Sequence, residues 1–216
     1  MDWLRRTGRP AGRADPAPVE PESEAIEGAA PGLAALLESV GEHRELAVLD
    51  LGPASESSLR WYGAFARRVR FADFLSDGRR SQQYASLADR LAALPPQPHH
   101  PYDVIMVWDV LDRLVGEDRQ RLVRRLAELS APDAVLHAMV LAPEHATLRP
   151  QRFTVIETGR IRYEPTSPLR LPRVPVRPAD LAPLFAPFRI VRAFTLKGGL
   201  REYLTAKPGV SGITIR

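Results

Sequence analysis

The chain has 216 residues, with 21 prolines, 14 glycines and no cysteine, and it carries 30 basic against 26 acidic side chains. That length supports one well-filled core rather than two full-size domains. The lack of cysteine excludes a disulfide framework, a thiolate zinc site, an iron–sulfur cluster and a cysteine nucleophile, and no apolar run approaches the ~18 residues of a membrane-spanning helix.

The segment up to about Ala30 is rich in Pro, Gly and Arg, then acidic at Glu20, Glu22, Glu24 and Glu27. It has too little apolar surface to offset its ordering entropy, so it is predicted to be disordered. Arg5 and Arg6 are followed by no apolar stretch, so no secretory signal is predicted and a cytoplasmic location is expected. From Pro31 the pattern changes. Leu33, Leu36, Leu37 and Val40 recur at helical spacing, between Pro31 and Gly41.

Residues 46–51 form a continuous apolar run that ends in Asp50 and Gly52, the mark of a central strand covered on both faces. Residues 57–67 place Leu59, Tyr62, Phe65 and Ala66 on one helical face, and 69–73 read as a second strand. A helix is predicted over 81–94, with Tyr84, Leu87, Leu91 and Leu94 on one side and prolines 95, 96 and 98 ending it. Residues 102–108 read as a third strand, 116–129 as a helix with Leu122, Leu126 and Leu129 inward, and 134–140 as a fourth strand. This alternation predicts βαβ units and a parallel sheet with helices on both faces.

The last third differs. Residues 153–156 and 160–163 alternate apolar and polar around Gly159, which predicts a β-hairpin. A proline-rich connection over 165–175 leads to a helix over 178–185, opened by Pro178. Two strands, 189–196 and 200–206, joined by Gly198 and Gly199, are expected to pair antiparallel and close the sheet edge.

In an open α/β sheet, ligands bind beyond the carboxyl ends of the strands, near the point where the strand order reverses. Three features fall there. After the first central strand, Asp50-Leu-Gly52 makes a turn in which Gly52 lets the backbone approach a ligand, and the next helix offers free N–H groups. Asp73 follows the second strand, where a carboxylate can take both hydroxyls of a ribose. Trp108 and Asp109 follow the third, on the floor of the same cleft. Singly, each has an ordinary structural reading: a turn, a helix cap, core packing. In this order they predict a nucleoside-like ligand.

Other chemistries find less support. His43, His99, His100, His137 and His145 lack metal-ligand spacing, so no metal site is predicted. Ser57 and Ser58 sit in no nucleophile elbow. One glycine after the first central strand does not meet the Gly-x-Gly-x-x-Gly of a nicotinamide-dependent dehydrogenase. Residues 147–216 hold 13 basic and 4 acidic side chains, but no aromatics are interleaved with the arginines and no nucleic-acid partner is expected.

Val48-Leu-Asp-Leu-Gly-Pro53, Asp73 and the stretch from Tyr102 through Trp108 and Asp109 to Leu114 resemble the class I S-adenosylmethionine-dependent methyltransferases, as do the two closing strands. The resemblance spans about residues 31–207. It implies an α/β, Rossmann-like, mostly parallel sheet with helices on both faces, an antiparallel last strand and an inserted β-hairpin. The domain would follow segment 1–30 and precede a short tail over 208–216. It further implies S-adenosylmethionine as cofactor, with Gly52 and Ala54 along its methionine part and Asp50 holding its amino group directly or through water. Asp73 would take the ribose hydroxyls, and Trp108 and Asp109 would face the sulfonium and the acceptor. The acceptor would be a small molecule or a protein side chain. The turn carries Glu56 where the family has a further glycine, and no strand is predicted between Asp73 and Tyr102. A catalytically inactive methyltransferase-like binding or scaffold protein is the second reading of the same residues.

Overall fold

The computed structural model describes residues 25–40, 45–75, 86–95, 100–141, 147–148, 151–165, 171–172, 176–196 and 199–209. In chain order, β1 (Ile26–Ala29) and α1 (Pro31–Val40) precede β2 (Leu46–Asp50), α2 (Glu56–Tyr62) and β3 (Ala66–Phe71). Next come α3 (Leu87–Ala93), β4 (Tyr102–Trp108), a 3-10 turn over Val110–Arg113, α4 (Gly116–Leu129) and β5 (Ser130–Leu141). The last part holds β6 (Thr147–Leu148), β7 (Gln151–Glu157), β8 (Arg160–Pro165), β9 (Leu171–Pro172), α5 (Pro178–Phe185), β10 (Arg189–Thr195) and β11 (Leu200–Ala206).

Six strands form the central sheet in the order β10-β11-β5-β4-β2-β3. β3, β2, β4 and β5 run parallel, and β11 joins β5 antiparallel with β10 antiparallel outside it. The order reverses between β2 and β4, so the switch point lies where Asp50 and Trp108 end their strands. Both strands are continuous apolar runs because helices cover both faces.

Alternation along each strand decides which residue meets which layer. Leu49, Ile105, Val107 and Leu136 face Leu122 and Leu126 of α4 and Leu181 and Phe185 of α5. Val48, Val104, Met106, Trp108, Val135 and Met139 face Leu33 and Leu36 of α1 and Trp61 and Tyr62 of α2. Asp50 and His137 share the alternation of Val48 and of Val135 and Met139, which directs both toward the second layer.

A second sheet, β1-β8-β7, contributes Val155, Ile161 and Tyr163 to that second layer. Gly159 turns the hairpin at φ 73°, as its sequence predicts. β1 corrects one expectation. The predicted disordered segment contains Ile26–Ala29, which pairs antiparallel with β8, and Ala30 is fully buried, its N–H donating to the Gly159 carbonyl at 2.7 Å. The partner strand, over 130 residues away, supplies what the local composition lacks. Residues 1–24 and 210–216 lie outside the described residues, as do His43, His99, His145, Gly198 and much of the connections over 76–85 and 165–175.

Smaller differences concern boundaries. α2 ends at Tyr62 and β3 begins at Ala66, earlier than predicted. Gly63 stops the helix, and Phe65 packs as a loop residue against Trp61 at 5.2 Å between ring centroids. Among the described residues between β3 and β4, α3 is the one regular element, and it begins at Leu87 with a Ser86/Asp89 capping box. No helix of the described residues is long and apolar enough to cross a membrane.

Candidate functional site

The carboxyl end of β2 is built around Asp50. Its side chain is 1% exposed and accepts three hydrogen bonds. Oδ1 accepts from the Gly52 amide at 2.7 Å and from Trp108 Nε1 at 2.7 Å, and Oδ2 accepts from the Tyr62 hydroxyl at 2.6 Å. Burial pushes the Asp50 carboxyl above its usual range, against the pull of Tyr62, Gly52 and Trp108. Burial, then the Asp50 charge, raises Tyr62 well above an ordinary phenol, so it stays a donor.

Close approach favours glycine at position 52. A Cβ there would lie 3.1 Å from Asp50 Oδ1 and 3.2 Å from the Trp108 indole. The turn is tied to the next strand: the Ala72 amide donates to the Asp50 carbonyl at 2.8 Å and the Asp73 amide to the Gly52 carbonyl at 3.2 Å. Asp73 is thereby set beside Gly52, with its side chain exposed and no partner for it among the described residues. Ala54 is exposed on the same turn. Ser55 then caps α2, its Oγ accepting from the Ser58 amide at 3.1 Å. That capping role accounts for the serine cluster at 55–58.

The end of β4 sends its two predicted residues in different directions. Trp108 turns over Gly52, stacks on Phe153 of β7 (5.6 Å between centroids, 8° between planes) and meets His137 edge to face at 5.7 Å and 72°. Asp109, 4% exposed, turns to Arg113: Oδ2 accepts from Nε at 3.0 Å and Nη2 at 2.7 Å. The same Nη2 donates to the Gln151 carbonyl at 2.8 Å, which ties the base of the hairpin to the end of β4. Among the described residues, three non-glycine residues have positive φ, and two of them, Asp73 (40°) and Trp108 (53°), stand at this edge. For a bulky residue such as Trp108 that backbone is an outlier held by its surroundings.

Burial pushes the Asp109 carboxyl up to about 6, with Arg113 opposing and Asp112 adding to the rise. The folded state thus holds a proton that the unfolded chain releases near pH 4, so this group's stabilising contribution is full below that range and lost as pH rises through about 6. Asp109→Asn is expected to gain about 1–3 kcal/mol of unfolding free energy relative to the parent between roughly pH 4.5 and 7.5. Urea unfolding at both ends of that range checks it. A difference that does not change with pH would mean that Arg113 compensates the burial fully.

Three parts of this environment carry no local signal in the sequence: Tyr62, Phe153, and the pair His137–Glu202. Tyr62 has the spacing of an ordinary apolar helix position, and its hydroxyl finds Asp50 only across the layer. His137 Nε2 lies 2.7 Å from Glu202 Oε1, both side chains fully buried, and Glu202 also accepts from the Gly32 and Leu33 amides at 2.7 and 3.0 Å. His137 Nδ1 has no partner among the described residues.

No protein-family model matches the chain, and no curated protein does. Solved structures do match. The N-methyltransferase NodS from Bradyrhizobium japonicum aligns with 81% of this chain and 92% of its own at a TM-score of 0.51 and 13% identity. The same enzyme crystallised with S-adenosyl-L-homocysteine aligns with 82% of this chain and 85% of its own at 0.51 and 11% identity. An S-adenosylmethionine-dependent methyltransferase from Mesorhizobium loti aligns with 82% and 96% at 0.50 and 15% identity. Together with the strand order and the antiparallel closing pair, these matches give the chain the fold of the class I S-adenosylmethionine-dependent methyltransferases, in a sequence that has diverged far from the solved examples.

Proposed function

We propose that this chain binds S-adenosylmethionine at the carboxyl ends of β2, β3 and β4 and directs methyl transfer to a small molecule or a protein side chain. The observation that carries this reading is the meeting, at the switch point, of the Asp50–Gly52 turn with Asp73 and Trp108, both held in left-handed backbone. Strained residues gathered at a ligand-binding edge favour a site over plain packing.

The residues fit the cofactor. Asp73 offers an exposed carboxylate for the ribose hydroxyls, and Gly52 and Ala54 offer backbone for the methionine part. Glu56, where a carboxylate could repel that of the cofactor, is instead exposed and paired with Arg60 at 2.7 Å. Asp50 enters this reading as the group that orders the turn, since both its oxygens carry protein donors. Trp108 flanks the side from which an acceptor arrives, while Asp109, buried against Arg113, braces the base of the hairpin instead of facing the acceptor. The β7–β8 hairpin, lying on Trp108 through Phe153, narrows that approach and favours a small acceptor over a macromolecular one.

S-adenosylmethionine supplies an electrophilic methyl carbon on its sulfonium sulfur. The protein's part is to hold two partners in line and keep water out, and such positioning can carry much of a rate enhancement. The second reading, a silent binding module, is favoured by the saturated Asp50 carboxylate. Calorimetric titration with S-adenosylmethionine and with S-adenosylhomocysteine tests the cofactor site, and conversion of the first into the second in the presence of an acceptor separates the two. In the proposed site, Asp73→Ala weakens binding by about 1.5–3 kcal/mol, the value of a hydrogen bond to a charged group. Equal affinity of the variant and the parent would remove Asp73 from the site.

A further inference from the structure

We propose that Trp108 governs entry to this site: its indole N–H occupies the Asp50 oxygen that faces the methionine part, and a ligand binds by turning the indole off Gly52. The inference rests on the cofactor reading above and goes beyond it by naming the side chain that competes with the cofactor.

The geometry is that of an internal stand-in. Trp108 Nε1 donates to Asp50 Oδ1 at 2.7 Å, as a ligand's ammonium group would. The ring lies where a Cβ on Gly52 would come within 3.2 Å of it, so the indole covers the face of the turn on which a backbone approach depends. With the indole in place Asp50 is 1% exposed. The remaining donors, Gly52 and Tyr62, belong to the turn and to α2 and hold the carboxylate in place when the indole leaves.

The covering position is held from outside. The backbone of Trp108 sits at φ 53°, a conformation that costs a bulky residue roughly 1–3 kcal/mol and persists only where neighbours enforce it. Those neighbours are Phe153 on one side of the ring and His137 at its edge. Phe153 belongs to β7, whose first residue is held to Arg113 through the Gln151 carbonyl. The indole is thus kept over a polar turn by a stack on a separate hairpin and by one hydrogen bond, both of which a ligand at the turn would have to displace. A buried indole N–H needs a partner wherever it packs, but ordinary core packing does not need the unfavourable φ.

The test uses the whole chain and S-adenosylhomocysteine, titrated by calorimetry into the parent, Trp108→Phe and Trp108→Ala. Trp108→Phe keeps a benzene ring against Phe153 and removes the five-membered ring that carries the N–H, a smaller loss of packing than Trp108→Ala, so it remains informative if Trp108→Ala unfolds. Both variants are expected to bind at least about tenfold more tightly than the parent, one decade of Kd. With Trp3 and Trp61 both replaced by Phe, Trp108 is the one indole left, and its emission is expected to shift to the red as ligand is added. Binding by the parent with equal or weaker binding by both variants overturns the gate and leaves the cofactor reading standing. Binding with no change in Trp108 emission also overturns it. Absence of binding by the parent and by both variants overturns the cofactor reading and the gate with it. Binding by the variants alone supports both.

Discussion

Glu202→Ala is expected to destabilise the protein by about 3–5 kcal/mol, because it strands buried polar groups that each cost roughly 1–3 kcal/mol when left unpaired. Glu202 lies on β11, fully buried, and its carboxylate meets three groups: the first two amides of α1, at Gly32 and Leu33, and His137 Nε2. A carboxylate at a helix N-terminus also meets the positive end of the helix dipole. Truncation leaves the Gly32 amide and an imidazole unpaired where water does not reach, while the Leu33 amide keeps the Ala30 carbonyl at 3.0 Å, and His137 then has no partner among the described residues for either ring nitrogen. Glu202→Gln keeps a carbonyl acceptor but turns an amide N–H₂ toward existing donors, so a smaller loss is expected. Gly32→Ala should act through the same group, because its Cβ would fall onto the Glu202 carboxyl. Urea denaturation of the three variants checks the order. A Glu202→Ala protein within about 1 kcal/mol of the parent would mean that water enters and replaces the carboxylate.

Asp50→Ala is expected to cost about 2–4 kcal/mol. It orphans the Tyr62 hydroxyl, the Trp108 indole N–H and the Gly52 amide together, each worth roughly 1–3 kcal/mol when left unpaired inside the protein. The loss is smaller than their sum, because burial already disfavours the charged carboxyl and its removal recovers part of that cost. Tyr62→Phe removes one donor only and should cost less. The two side chains are in direct contact, so the double variant should fall short of the sum of the singles. Additive losses in unfolding experiments would show that the hydroxyl and the carboxylate act independently.

These two residues also mark how far the site could be read without the structure. Asp50, Gly52 and Asp73 stand at strand ends, and a strand end is visible as the place where an apolar run stops. The hairpin was legible for a similar local reason: alternation on both sides of Gly159, a residue at ease with φ 73°. The partners of Asp50 were not legible. Tyr62 and Trp108 occupy positions at which apolar packing explains an aromatic equally well. Only the stacking of layers brings a hydroxyl twelve residues ahead and an indole fifty-eight residues ahead onto one carboxylate.

β1 shows the same limit. Ile-Glu-Gly-Ala has no alternation to betray a strand, and its pairing energy comes from β8, which the chain reaches more than 130 residues later. His137 and Glu202 read as interruptions of two apolar strands until register sets Leu204 beside His137 and Glu202 beside Met139, so that the two polar side chains share a face. Hydrophobic period and chain breakers are local properties, so the sequence by itself determined the succession of strands and helices and the strand ends at which a ligand would be held. Strand order, register and the closing of the hairpin over Trp108 depend on contacts between distant segments, so only the tertiary structure decided that the carboxylate at the centre of that edge is already occupied by the protein's own donors.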